Sequence, residues 1–284
     1  MRRYALHAAL FFLTLLSTLF AGAYYIQDYD LLAEFPARVL PGLVKGAPFS
    51  IPLMIILGSH EFAHYINSRR HHVEATLPYF IPFPLNIFGT LGAVIKMKSP
   101  ILDRVALIDI GASGPLVGFV LSVIFCVAGL SMSNSEAIKP IASGEMSLGG
   151  SLLYVGLVKL FVHADLAKDA VNLHPIAVAG WVGLFVTSIN LMPVGQLDGG
   201  HISYAFLGRR HRLVSRIFIG VLAVMGLFFI GWLMWAVLLI IMGTKHPPVM
   251  DPRAPLDFKR KLAGAASLVI FIITFPPIPV IIQI

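Results

Sequence analysis

Ile51-Pro52-Leu53-Met54-Ile55-Ile56-Leu57-Gly58-Ser59-His60-Glu61-Phe62-Ala63-His64 runs from an apolar stretch directly into an HExxH sequence. On a helix, His60 and His64 stand one turn apart on the same face, so both imidazoles reach a single metal ion. Glu61 is then turned toward the position where water binds. Ionisable side chains are costly in hydrocarbon and are kept there chiefly for function. The competing reading is an interfacial helix end whose polar residues happen to match; the apolar neighbours argue against it.

The rest of the chain has the same character. Of its 284 residues, 57% are hydrophobic and only 12% charged, and its mean hydropathy is +0.85, more apolar than a soluble domain of this size presents to water. The composition implies an all-α polytopic membrane protein whose surroundings are the lipid bilayer. A net charge of +7 raises the question of nucleic acid. However, the basic residues gather at the ends of apolar runs (Arg2-Arg3, Arg69-Arg70, Arg209-Arg210-His211-Arg212, Lys259-Arg260-Lys261), as cytoplasmic loops do. No basic patch is interleaved with aromatics on a soluble segment, so no nucleic-acid partner is expected. The single cysteine, Cys126, lies within an apolar run and supports neither a disulfide framework nor a thiolate metal site. A metal here must use histidine and carboxylate.

The stretch Arg2 to Ala23 imitates a signal peptide, but its apolar part, Ala5 to Ile26, is long enough to span hydrocarbon, and a retained first helix is expected. With Arg2-Arg3 in the cytoplasm, Asp28, Asp30 and Glu34 fall outside. A second helix, about Leu43 to Asn67, then returns inward to Arg69-Arg70-His71-His72, which puts the HExxH nearer the cytoplasmic face. His71 and His72 read as a solvated interfacial pair rather than as ligands. Between Leu77 and Lys98, Pro78, Pro82 and Pro84 exclude a continuous helix, and Ile87, Gly89, Leu91, Ala93, Ile95 and Met97 alternate with their neighbours at period two. This predicts a re-entrant β-hairpin near the site, because non-helical backbone at membrane depth must be satisfied by protein or a wet cavity.

A third helix, about Arg104 to Leu130, carries Gly111, Ser113, Gly114 and Gly118, read as a close-packing face for another helix. After the polar segment Ser131 to Met146, the run Leu148 to Val162, broken by Lys159, reads as a helix lying on the outer surface. The run Ile176 to Leu207 travels inward. Leu213 to Met242 reads as a hairpin turning at Gly226 or Gly231, and Leu262 to Ile284 as a last span. The expectation is about six transmembrane helices in one integral membrane domain, residues 1–284, with a core at about 43–207, C-terminal helices at 213–284 and no soluble accessory domain.

Two histidines do not complete a catalytic zinc, which commonly takes three protein ligands and one water. Glu74, Glu136 and Glu145 fall in segments expected at the interface or outside. Asp198 is the better candidate. It lies in Asn190-Leu191-Met192-Pro193-Val194-Gly195-Gln196-Leu197-Asp198-Gly199-Gly200, where proline and glycines break an apolar helix within the membrane. Its alternative role is to cap the helix that follows.

HExxH in one apolar helix and NxxPxxxLDGG in a later one together resemble the site-2 protease family of intramembrane zinc metalloproteases. Phe88-Gly89-Thr90-Leu91-Gly92-Ala93 and Gly111-Ala112-Ser113-Gly114-Pro115 are similar to that family's strand and glycine regions, and the likeness covers most of Leu43 to Leu207. It implies one Zn2+ per chain held by His60, His64 and Asp198, with Glu61 as general base and Asn190 holding the scissile carbonyl or its oxyanion. It further implies a transmembrane protein substrate that unwinds locally and pairs with the edge of the 87–97 strand. No covalent intermediate is needed. Unlike some members, the chain is expected to have no PDZ-like insert or nucleotide-sensing (CBS-type) domain. A cell-membrane location with the site toward the cytoplasm is expected. An ion or metal transporter with a buried His/Asp site is the alternative; it accounts for Asp198 but not for Glu61.

Overall fold

The computed structural model describes residues 2–26, 39–137, 146–162 and 169–282. Asp28, Asp30, Glu34 and Glu145 lie outside them. In chain order the elements are α1 (Arg2–Ala21), which runs on through a π turn at Gly22–Ile26, α2 (Val39–Lys45), α3 (Ala47–Arg70), β1 (Tyr79–Pro82), β2 (Thr90–Val94) and α4 (Arg104–Leu130). Then follow β3 (Asn134–Ala137), β4 (Met146–Leu148), α5 (Leu152–Phe161), β5 (Asp169–Asn172), α6 (Pro175–Asn190) and α7 (Asp198–Leu207). The last elements are α8 (His211–Met225), α9 (Ile230–Met242), α10 (Phe258–Thr274) and β6 (Val280–Ile282).

α4 is the axis of the fold and packs against α3, α6 and α7. Its start is fixed by Asp103, whose carboxylate accepts from the Ala106 amide at 2.7 Å. α3 shows how the chain is turned for a bilayer. It buries Leu53, Leu57, His60, Glu61, His64 and Ser68 along one stripe at helical spacing and exposes Ile51, Ile55, Phe62 and Ile66. Polar groups inside and apolar groups outside is the reverse of a helix facing water, and it is what lipid requires.

Tyr4–Tyr24 and Arg104–Leu130 are each long and apolar enough to cross a membrane, and α2 with α3, bent by 60°, make a third if taken as one span. The remaining apolar runs are interrupted. The run 176–207 breaks after Asn190, and 213–242 divides after Met225 with Gly226 as the C-cap of α8, one of the two turns expected. α6, with 16 residues, is about 24 Å long, short of a hydrocarbon thickness of about 30 Å. By length and composition, two helices, or three with the bent pair, are each long enough to span among the described residues, and α5, α6 and α9 are shorter apolar helices. The stretch expected to lie on the surface forms the ten-residue α5.

The hairpin expected between Leu77 and Lys98 is β1 paired antiparallel with β2, with a register shift between Phe80 and Pro82. α1 holds it in place. Ser17 Oγ donates to the Gly89 carbonyl at 2.5 Å, and His7 Nδ1 lies 3.0 Å from the Pro78 carbonyl. Gly89 has a φ of +74°, and a Cβ there would collide with the backbone of Ser17. Two further ladders, β3 with β5 and β4 with β6, join segments distant in sequence.

Candidate active site

His60 and His64 lie on the buried face of α3, and Asp198 opens α7, 138 residues after His60. The fold brings them to one point. His60 Nε2 and His64 Nε2 are 3.0 Å apart, and each is 3.2 Å from Asp198 Oδ2. Ligands on bonds of about 2.0–2.1 Å around a tetrahedral centre stand about 3.3 Å from one another, so this donor set fits zinc. His60, His64 and Asp198 form the one cluster of three potential metal-binding side chains among the described residues. Asp198 is not a cap: Leu197 occupies that position and makes no side-chain capping bond, so the Asp198 carboxylate is turned to the imidazoles instead.

Glu61 is buried beside them, its Oε1 3.9 Å from His60 Nε2. Asn190, the last residue of α6, has Nδ2 3.4 Å from His60 Nε2. All five residues expected at the site are therefore brought together. Glu74, set aside on sequence, is exposed.

Three supports come from α4. The Ile110 carbonyl accepts from His64 Nδ1 at 2.7 Å, which fixes the ring and leaves Nε2 free for a metal. Gly114 lies under the His64 ring, where any Cβ would collide with it, and a Cβ at Gly118 would come within 3.0 Å of His60 Nδ1. The glycine face of α4, read as packing for another helix, is the seat of both imidazoles. Its spacing of four between Gly114 and Gly118, matching that of His60 and His64, is the signal that could have revealed it.

The broken segment between α6 and α7 has its backbone satisfied by α8. Ser215 Oγ donates to the Pro193 carbonyl at 3.2 Å, and His211 Nε2 donates to the Gly195 carbonyl at 3.2 Å. His201 is buried with Nδ1 2.6 Å from His246 Nε2, and His174 caps α6 by accepting from the Ile176 amide. The pair His71 and His72 divides: His72 is exposed, whereas His71 Nε2 lies 2.8 Å from Asp109 Oδ2, correcting the expectation that both are merely solvated.

β2 leads from the hairpin to the site. Just past its end, the backbone amide of Ile95 approaches the Glu61 carboxylate. β1 covers one edge of β2, the other is unpaired among the described residues, and Leu91 is 62% exposed.

Two imidazoles and a carboxylate converging beside a glutamate, among helices apolar enough to cross a membrane, define a site able to hold a metal ion in a membrane protein. The chain belongs to Peptidase family M50, the site-2 protease family of zinc metalloproteases, whose profile matches residues 48–233. It is similar to the probable zinc metalloprotease EGY1, chloroplastic, of Arabidopsis thaliana, 30% identical over 88% of this chain and 45% of that protein. It is also similar to the probable zinc metalloprotease EGY2, chloroplastic, of the same plant, 29% identical over 93% of this chain and 47% of the relative. The EGY2 protein of Oryza sativa subsp. indica is 30% identical over 81% of this chain and 41% of its own length. The chain thus spans less than half the length of each of these relatives. No solved structure matches it.

Proposed function

We propose that this chain is a zinc endopeptidase that hydrolyses peptide bonds in or near the transmembrane segments of other membrane proteins, as in regulated intramembrane proteolysis. The convergence of His60 Nε2, His64 Nε2 and Asp198 Oδ2 at 3.0–3.2 Å, with Glu61 adjacent, carries this reading. His60, His64 and Asp198 would hold the zinc, which would supply a Lewis acid and lower the pKa of a water molecule toward neutrality. Glu61 takes a proton from the attacking water, whose oxygen bonds to the scissile carbonyl carbon, and returns that proton to the amine nitrogen as the C–N bond breaks. Asn190 donates from its amide to the carbonyl oxygen as negative charge develops. The free edge of β2 pairs with a locally unwound substrate strand and presents its carbonyl beside Glu61.

The reading extends to one integral membrane domain of six spans, holding one zinc, in a cell membrane with the site toward the cytoplasm. The positive residues at the ends of the apolar runs support that orientation. Ion transport is the weaker alternative, because it assigns no task to Glu61 and the family is one of peptidases.

Metal analysis and cleavage of a transmembrane substrate by purified Glu61→Gln test the proposal together. Zinc should stay near one equivalent while cleavage is lost. A variant that still cleaves rules out Glu61 as the base.

A further inference from the structure

α10 lies beyond the part of the chain that the family profile matches, yet its first turn reaches the helix that seats the zinc ligands. Arg260 donates from Nε to Asp109 Oδ1 at 2.9 Å and from Nη2 to Asp109 Oδ2 at 2.6 Å, a two-pronged contact, while its Nη1 donates to Asp257 Oδ2 at 2.7 Å. Both Arg260 and Asp109 are largely shielded, with side chains 28% and 22% exposed, and a bidentate guanidinium–carboxylate pair in such a place is directional as well as strong. His71, the C-cap of α3 about two turns beyond His64, donates from Nε2 to the same Asp109 carboxylate at 2.8 Å.

Asp109 immediately precedes Ile110, whose carbonyl holds His64 Nδ1. In a helix, side chains lean toward the N-terminus and carbonyls point toward the C-terminus. Adjacent residues of α4 therefore grip α3 at two levels: Asp109 through its side chain at His71, and Ile110 through its carbonyl at His64. Arg260 holds the Asp109 rung through both carboxylate oxygens.

We propose that Arg260 is a positioning residue for the zinc site: by fixing Asp109 it sets the rotation of α4 at which the Ile110 carbonyl orients His64. This rests on the assignment of His64 as a zinc ligand. The competing role is a tie that merely fastens α10 to the bundle. Such a tie would change stability alone, whereas a positioning contact behind a metal ligand changes metal affinity, typically 10–100-fold.

The test uses the full chain in detergent, with the zinc dissociation constant measured by competition with a chromophoric chelator, alongside the thermal midpoint and kcat and KM on a transmembrane substrate. Arg260→Gln is expected to weaken zinc about tenfold and to lower kcat with KM unchanged. Arg260→Lys, which keeps the charge but loses the fork, should fall between it and the parent. Exchanging the pair, Asp109→Arg with Arg260→Asp, should recover most of the zinc affinity. A folded Arg260→Gln with zinc affinity within about twofold of the parent overturns the proposal, as does an exchange that restores the thermal midpoint but not zinc binding. If Arg260→Gln does not fold, unchanged zinc affinity in Arg260→Lys has the same force. His64→Ala serves as the control: zinc retained there overturns the metal assignment itself, whereas zinc lost there but kept in Arg260→Gln overturns only the positioning role.

Discussion

The imidazole of His64 rests on Gly114, with no space between ring and backbone for a single methyl group. A residue usually credited with letting helices approach is here the floor of a proposed metal ligand. Replacing it by alanine sets two effects against each other. Alanine favours a helix over glycine by about 0.5–1 kcal/mol, while overpacking a filled site costs about 1–3 kcal/mol. Gly114→Ala should therefore lose about 0–2.5 kcal/mol, at most several degrees of thermal midpoint, and bind zinc about tenfold or more weakly. Gly118→Ala, whose added carbon would stop 3.0 Å from His60 Nδ1, should do less. Equal zinc affinities in the two variants and the parent, measured by chelator competition, would remove the role given to this face.

Asn190 is expected to act on the reaction rather than on the metal. Its amide stands 3.4 Å from His60 Nε2, at the rim of the donor cluster. Loss of a donor to a developing oxyanion costs about 10²–10³ in kcat. Asn190→Ala should show that loss with zinc content unchanged, in a cleavage assay paired with metal analysis. A variant that loses zinc in proportion to activity would mark Asn190 as structural instead.

Gly92 tests the strand edge. Its φ of +98° lies far from the value proline requires, and its amide donates to Thr90 Oγ1 at 2.9 Å, a bond proline cannot make. Gly92→Pro should distort β2, abolish cleavage of a transmembrane substrate and leave zinc bound. Unchanged cleavage would count against substrate pairing at this strand.

His211 supports the interrupted segment ahead of Asp198. Removing it leaves the Gly195 carbonyl without its buried donor, at a cost of about 1–3 kcal/mol. His211→Ala should lower the thermal midpoint by several degrees and weaken zinc only modestly, because Asp198 begins a new helix beyond the break. A variant as stable as the parent would mean that this bond contributes nothing.

Removal of the metal should be reversible. A strong chelator is expected to end cleavage, and added zinc to restore it, since His60 and His64 are held by α3, which is helical over Ala47–Arg70. Cleavage that persists in metal-free protein would defeat the peptidase reading.

The amino-acid sequence by itself determined the membrane class, the half of α3 that carries the HExxH histidines, the hairpin between Leu77 and Lys98 and the break around Pro193. These are local properties: mean hydropathy, helical and two-residue periodicity, and the backbone limits of proline and glycine are complete within a few neighbouring residues. The motif in which Asp198 sits also named it as the partner of the histidines. Only the tertiary structure decided that its carboxylate meets both imidazoles, from residues more than 130 positions earlier in the chain, that the Ile110 carbonyl orients His64, and that the glycines of α4 seat the two rings. It also separated His71 from His72 by bringing Asp109 to one of them. A backbone carbonyl has the same chemistry at every position, and a single glycine carries no mark of what will lie on it; the matched spacing of Gly114 and Gly118 gains meaning only once α4 is packed on α3. Which of them serves the site depends on the packing of α3, α4, α6 and α7 together, and no short stretch of the chain contains that information.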